Sequence, residues 1–364
     1  MEKWKHKLPK NKWKQNQTSN KWRKPTLFIV LGLFSIILVI PTVIVLPYIQ
    51  GGEAENKSVD VEAKAQEVVL QENDSPFSVS VYRSESKKVE SVPLEEYVVR
   101  VVASEMPADF ELEALKAQAL AARTYVVNFL MAQENSAQPN EIPGDADLTD
   151  TVQHQVYKSD DELRQQWGTD YNWKVNKIKQ AVAATMGEIV TYNDQPITPA
   201  FFSTSNGYTE DSENYWPNEL PYLRSVASPW DEKISPKFLD QKILTVADVE
   251  KALGIDIKQD AATFKTTRTE SNRVATITMG GKEISGRDVR EKLNLRSTDF
   301  EVTQKKDHLV FTTKGYGHGV GMSQYGANGM AKEGKTYKDI VTYYYKGAEV
   351  SEINTTAPKL AARK

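Results

Sequence analysis

The sequence predicts an α+β fold: a single mixed globular ectodomain with a substrate cleft, preceded by one transmembrane helix. Three observations predict it. A charge-free apolar stretch, "TLFIVLGLFSIILVIPTVIVLPYIQ", lies between Lys24 and Glu53 and is long enough to cross a bilayer. Beyond it, helical and strand patterns mix without a regular βαβ rhythm or an internal repeat. Finally, 364 residues can bury a sizeable core, and the absence of cysteine excludes disulfides, thiolate metal sites and thiol nucleophiles.

Charge sets the expected topology. Residues 1–24 carry nine basic side chains against Glu2, a local +8, so the remainder holds −11 of the net −3. Basic residues on that side predict a cytoplasmic tail (1–24), a membrane span (25–49) and everything later outside the cell membrane. The apolar run is too long for a signal peptide, and Pro41 and Pro47 are tolerable within a membrane helix. A Lys-rich flank of a span accounts for the basic tail without invoking nucleic acid. Residues 50–75 are acidic and lack aromatics, and so read as a flexible linker.

The main domain is expected over 76–350. "PFSVSVYRS" alternates as a strand, with Phe77, Val79 and Val81 on one face. "VPLEEYVVRVVASEMP" has helical spacing, with Leu94, Tyr97, Val98, Val101 and Val102 on one stripe, and Pro107 stops it. Asp109 is a candidate N-cap for the Ala-rich helix "FELEALKAQALAARTYVVNFLMAQ". After a polar loop, "NKIKQAVAATMG" reads as a helix ending on Gly187, and "EIVTY-ND-QPITPAFFS" as a hairpin. "TVADVEKALG" is a short helix, "VATITMGGKEI" a strand and turn, and "SGRDVREKLNL" a helix capped by Ser285 and Asp288. "HLVFTT" is a strand, two helices follow in "MSQYGANGMAKEG" and "TYKDIVTYYYKG", and 351–364 reads as a loose tail.

Several residues are candidates for chemistry. Glu105 stands where one helix ends and a Pro turn leads into the next. It is either a solvated helix-end residue or a carboxyl set in the angle between two packed helices, where desolvation would raise its pKa and let it donate a proton. Lys116 and Arg123, seven apart on an alanine-lined face, either bind polar substrate beside that carboxyl or snorkel on an exposed face. Ser203, Ser205 and Asn206, at a strand end before Gly207, either hydrogen-bond sugar or amide groups or form ordinary turn chemistry, with Tyr208, Tyr215 and Trp216 as stacking faces. In "KGYGHGVGMSQYGANGMA" four glycines alternate with Tyr316, His318 and Val320. A nucleotide loop would need a βαβ unit that does not follow, so a cleft-lining loop with His318 and Gln324 directed inward is expected. His154 is the other histidine that could act as a base or ligand; without cysteine, no metal site and no cofactor is expected.

The stretches "VVASEMPADFELEALKAQALAARTY", "YLRSVASPWDE" and "GYGHGVGMSQYGANGMA" together resemble the stage II sporulation protein D family, related to the amidase-enhancer domain. The resemblance runs from about Phe77 to Val350. It implies a peptidoglycan lytic transglycosylase. Such enzymes cut glycan strands stripped of stem peptides, between N-acetylmuramic acid and N-acetylglucosamine, and leave anhydro-muramic ends. It implies a catalytic role for Glu105, with Lys116, Arg123, His318 and Gln324 matching further functional positions. Some relatives hold zinc through His and Cys near the motif "QVY"; here the stretch is "VQHQVY" and there is no Cys. The resemblance also implies cell-wall remodelling during engulfment of the forespore. The implied partners are a sporulation amidase/endopeptidase and a polytopic membrane scaffold.

Other functions compete. A serine-type cell-wall peptidase could use "SESK" (Ser84 to Lys87), or Ser203 or Ser205 with His318, but no K-T-G follows. A non-enzymatic glycan-binding or amidase-enhancing module would not need Glu105. A water-using glycosidase would leave reducing ends.

Overall fold

The computed structural model describes residues 68–71, 75–136, 142–257 and 264–362. All of them lie in one compact unit, Gln66–Lys364. The expected tail and membrane span, 1–49, and most of the linker fall outside the described residues. Among the described residues no helix is long and apolar enough to cross a membrane. The fold is mixed α+β, as the alternation of patterns predicts.

The chain enters through a hairpin, β1 (Ser78–Arg83) and β2 (Lys88–Pro93), whose inward residues Phe77, Val79 and Val81 are buried. Helix α1 (Leu94–Glu105) follows directly. Its five predicted stripe residues are all fully buried, so packing overrides the weak helix propensity of its valines. Met106 turns extended before Pro107, and the helix ends there.

Helix α2 (Leu112–Glu134) is the hub of the larger core. Ala114, Ala117, Ala119, Ala121 and Ala122 are all fully buried, and these small side chains let α1, α4 (Tyr171–Ala183), β4 (Glu188–Tyr192), α8 (Gln324–Lys332) and α9 (Tyr337–Tyr344) pack around it. A helix buried on nearly every side reads as apolar all round. The expected cap at Asp109 is not used. The N-cap is Glu111, without a side-chain bond, because a Phe110-to-Pro107 turn intervenes and Asn328 satisfies the Glu111 N–H from elsewhere.

Short strands close this core. β3 (Leu148–Thr149) joins β1 in parallel, and β4 pairs with β5 (Gln195–Pro196) through an Asn193–Asp194 turn with both residues at positive φ. β6 (Phe201–Phe202) runs parallel to β13 (Met322–Ser323). Helix α3 (Asp160–Trp167), with a Ser159–Glu162 capping box, was not anticipated. Nor is 351–364 wholly loose: β14 (Glu349–Glu352) pairs with β4, and two short helical turns, α10 (Ile353–Thr356) and α11 (Pro358–Ala361), bury Ile353 and Leu360. Those apolar side chains, too few to show periodicity, hold the segment in place.

The region 76–350 contains a second, smaller core. After α5 (Trp230–Ile234), strands β7 (Leu239–Thr245), β8 (Lys265–Arg268), β9 (Val274–Met279), β10 (Lys282–Ser285), β11 (Phe300–Lys305) and β12 (His308–Lys314) form two antiparallel three-stranded sheets. Helices α6 (Val246–Leu253) and α7 (Gly286–Lys292) pack with them around Val249, Ile277, Val289, Leu309 and Phe311. The predicted cap at Ser285 holds, its side chain accepting from Asp288 N–H, and Gly254 ends α6 in the left-handed region. Polar contacts join the two cores, including Asn206 to Asp299 and Arg273 to Tyr208 O.

Candidate active site

Glu105 is half-buried at the last position of α1, in the bend toward α2. Its Oε1 accepts a hydrogen bond from Val156 N–H at 3.3 Å. Burial raises its pKa, and the Val156 bond opposes this only partly. Of the two alternatives posed by the sequence, the geometry fits the carboxyl set between packed helices: the side chain is half-buried, makes no ion pair among the described residues, and in this state can hold a proton at a higher pH than a surface glutamate. The loop carrying Val156 also brings Gln155, whose Oε1 accepts from the buried Tyr97 hydroxyl at 3.3 Å. Tyr97 stacks on Tyr157, over which the guanidinium groups of Arg83 and Arg100 lie.

Gln324 is the predicted site residue that meets Glu105. From the first turn of α8 its Nε2 donates to the backbone carbonyl of Glu105 at 3.1 Å and to Gln118 Oε1 at 3.4 Å. One turn later, Asn328 Oδ1 accepts from Glu111 N–H at 2.8 Å, and between them Tyr325 packs edge-on against Phe110. Helix α8 thus holds both ends of the "SEMPADF" bend. The amide of Gln324 is directed at the protein backbone, so its expected place as a substrate contact becomes one of support.

Other expected contacts also move. Arg123 has no exposed surface: its guanidinium forks onto both oxygens of Glu95, with bonds of 2.6–3.1 Å, and donates to Glu188 O at 2.9 Å. It clamps α1, α2 and β4 and does not line an open site. Lys116 pairs with Glu113 at 2.6 Å and sits over the Tyr337 ring, toward α9. Ser205 is fully buried; its N–H donates to Asp231 Oδ1 and its hydroxyl to Ser228 O. Asn206 Nδ2 bridges to Ser271 O and Asp299 Oδ2, both at 2.9 Å. Ser203 is partly exposed, and its carbonyl accepts from Tyr325 N–H. Tyr316 is exposed, with Lys237 and Arg296 about its ring.

The glycine-rich loop is a packing device as well as a surface. Gly315, Gly317, Gly319 and Gly321 all have positive φ. A Cβ at Gly319 would sit 2.4 Å from Arg273 Cζ, and one at Gly321 would sit 2.1 Å from Ala200 O. Alternation arises because every second residue faces a close neighbour: backbone at Gly315 and Gly321, the Phe202 side chain at Gly317 and the Arg273 guanidinium at Gly319. His318 nests among Phe202, Tyr215 and Trp216, with ring centroids 5.1–5.7 Å away. Its Nδ1 accepts from Val320 N–H. Desolvation, Arg290 and Arg273 push its pKa down to about 3, against a smaller upward effect of a bond to the Phe201 backbone. It is a neutral imidazole held on both sides, which suits a cleft wall and not a general base.

Asp231, in the "SPWDE" stretch, was missed. It is fully buried and accepts from Ser205 N–H, Ser228 Oγ and Ser323 Oγ, while Ser323 in turn caps α8 by accepting from Gly326 N–H. Gly326 makes room for this group: a Cβ there would meet the Tyr344 hydroxyl at 2.0 Å. Its signal in the sequence was the "YLRSVASPWDE" motif itself, which the resemblance singles out without pointing to its aspartate.

His154 lies edge-on to Phe129, with Nδ1 2.8 Å from Thr149 Oγ1. Among the described residues no group of three or more His, Asp and Glu side chains is placed to hold a metal ion. Ser84 to Lys87 form the tight turn of the β1–β2 hairpin, with Lys87 at φ 58°, and not the start of a helix. That geometry does not suit an S-x-x-K nucleophile.

Comparison with known proteins now adds to this geometry. The family model "Stage II sporulation protein" matches residues 82–192, which include Glu105, Gln118, Arg123 and the Val156 loop. The chain is 50% identical over 338 residues to stage II sporulation protein D of Bacillus subtilis, covering 91% of this chain and 97% of that protein. It belongs to the stage II sporulation protein D family. The protein of the same name from Bacillus amyloliquefaciens is 48% identical over 94% of this chain and all of its own length. The amidase enhancer of Bacillus subtilis is 30% identical over 69% of this chain and 40% of its own length. In this member of the family, then, Glu105, a carboxyl whose pKa burial raises, sits in a bend fixed by a helix more than 200 residues away.

Proposed function

We propose that the chain acts in sporulation as a membrane-anchored peptidoglycan lytic transglycosylase, cleaving glycan strands freed of stem peptides. The observation that carries this reading is Glu105: a carboxyl with raised pKa, not ion-paired, held at the bend between two packed helices.

One such group suffices for the chemistry. Protonated Glu105 donates to the bridging oxygen as the anomeric carbon of the muramic residue gains oxocarbenium character. The carboxylate then takes the proton from the six-position hydroxyl of the same sugar, whose oxygen closes the anhydro ring. Because the nucleophile belongs to the substrate, no second carboxylate is needed, unlike in most glycosidases. General acid catalysis supplies about 10²- to 10⁴-fold, so strand binding and distortion supply the rest. Tyr208, Tyr316, Ser203 and the His318 wall with Tyr215 and Trp216 keep surface available for that binding.

The apolar run at 25–49 would tether the domain outside the cell membrane, where the strands are. The relative named amidase enhancer supports an accompanying amidase as partner, which would strip stem peptides before the strand is cut. The same relative favours a second reading, in which the domain binds glycan and enhances an amidase without cutting.

Mass spectrometry of purified glycan strands incubated with the chain decides between them. Mass-neutral cleavage to anhydro ends, abolished by Glu105→Gln while strand binding persists, is the expected result. Cleavage that adds water, or an unaltered Glu105→Gln, overturns the transglycosylase.

A further inference from the structure

Among the described residues, four buried side-chain nitrogen or oxygen atoms lack a hydrogen-bond partner, and two of them flank the Glu105 bend: Gln118 Nε2 and Gln155 Nε2. An unpaired buried N–H costs about 1–3 kcal/mol, so a fold keeps one where the rest of the side chain is needed in place. For Gln118 the need is visible. It is fully buried in the wall of α2, and its Oε1 meets the Gln324 Nε2 that also donates to the Glu105 carbonyl.

We infer that Gln118 is a positioning residue for Glu105, acting through Gln324. A carboxamide can present either its oxygen or its nitrogen, and only the nitrogen of Gln324 can bond the Glu105 carbonyl. With Gln118 Oε1 beside it, a flipped Gln324 would set its own oxygen against two others, Gln118 Oε1 and the Glu105 carbonyl. Gln118 thus adds a second acceptor that holds the Gln324 amide in the orientation the Glu105 carbonyl requires. That amide pairs the Glu105 carbonyl at the end of α1, where the helix itself supplies no donor. Where the turn sits decides where the carboxyl sits, relative both to Val156 N–H and to the sugar bridge. The free Nε2 of Gln118 is the cost of placing an acceptor at that point. Neither a leucine nor a methionine, though similar in volume and better suited to a dry core, could supply one.

This role rests on the transglycosylase reading for its effect on rate, but not for its effect on Glu105 itself. Two measurements on the full chain therefore separate them. The first is the titration of Glu105, followed by carbon-13 carboxyl NMR with Glu105→Gln assigning the signal. The second is kcat and KM for anhydro-end release from soluble strands.

Gln118→Met is expected to move the Glu105 titration and lower kcat by about 10- to 100-fold with KM unchanged, as a misplaced catalytic group does. Gln324→Met should do the same, and the double variant should be no worse than either single one, because the two act in series. Gln118→Leu, which also removes the acceptor at similar volume, serves as the test where Gln118→Met fails to fold. An unmoved Glu105 titration in the folded Gln118 variant overturns the inference, as do rate losses that multiply in the double variant. A wild-type chain that releases no anhydro ends overturns the enzymatic reading alone; the titration still decides the role of Gln118.

Discussion

Arg123 and Glu95 form an ion pair with essentially no exposed surface, the guanidinium forked over both carboxylate oxygens. Glu95 Oε1 also accepts from Gly187 N–H, so the pair joins the start of α1, the middle of α2 and the turn before β4. The "ARTY" arginine, which from the sequence alone could equally bind substrate, is a structural clamp.

Removing one partner of this pair leaves the other buried and unpaired. Arg123→Met should therefore destabilise the domain by about 3–5 kcal/mol. Arg123→Lys should recover little, since an ammonium cannot reproduce the fork. Urea denaturation of the three proteins measures both effects. An Arg123→Met protein of native stability that no longer binds strands would restore the substrate-binding role.

Glu105 gives stability a pH dependence of known sign. Its folded pKa lies above the ordinary value of 4.5, so between the two the folded state holds more protons than the unfolded state. The stability that Glu105 contributes is thus fully present below that window and is lost as pH rises through it. Glu105→Gln should melt above wild type at pH 8 and converge with it near pH 4. Thermal melts at the two pH values check this.

His318 should behave as a neutral ring throughout the physiological range. With its pKa pushed down to about 3, it contributes stability that is present above the unfolded value of 6.5 and is lost as pH falls toward 3. Nitrogen-15 NMR of the imidazole should show Nδ1 unprotonated and no titration between about pH 5 and pH 8. A midpoint near 6.5 would place the ring in solvent and reopen a base role.

Gly321 tests the account of the alternating glycines. Its φ is 78°, and a methyl group would press on Ala200 O, a backbone atom that cannot swing aside. Gly321→Ala should cost about 2–4 kcal/mol through combined strain and overlap. Gly334, also at positive φ but with nothing within 4 Å, should tolerate alanine with a loss of only about 1 kcal/mol, so the difference between the variants isolates the packing component.

The sequence by itself determined the mixed α+β class, most of the longer helices and the β4–β5 turn, and the seat of Glu105 at a helix–turn–helix bend. These follow from local physics: apolar spacing, capping side chains, and Pro and Gly where the backbone must stop or turn. Only the tertiary structure decided what the polar residues do. Gln324 meets Glu105 across 219 residues, Arg123 closes on Glu95, and Asp231 gathers serines from three separate stretches. The second core was equally invisible, because its local hairpins share one interior only once β12 pairs with the distant β7 and α6 and α7 pack beside them. A polar side chain's role is set by which atoms surround it once water is excluded, and sequence spacing carries no record of neighbours brought together by folding.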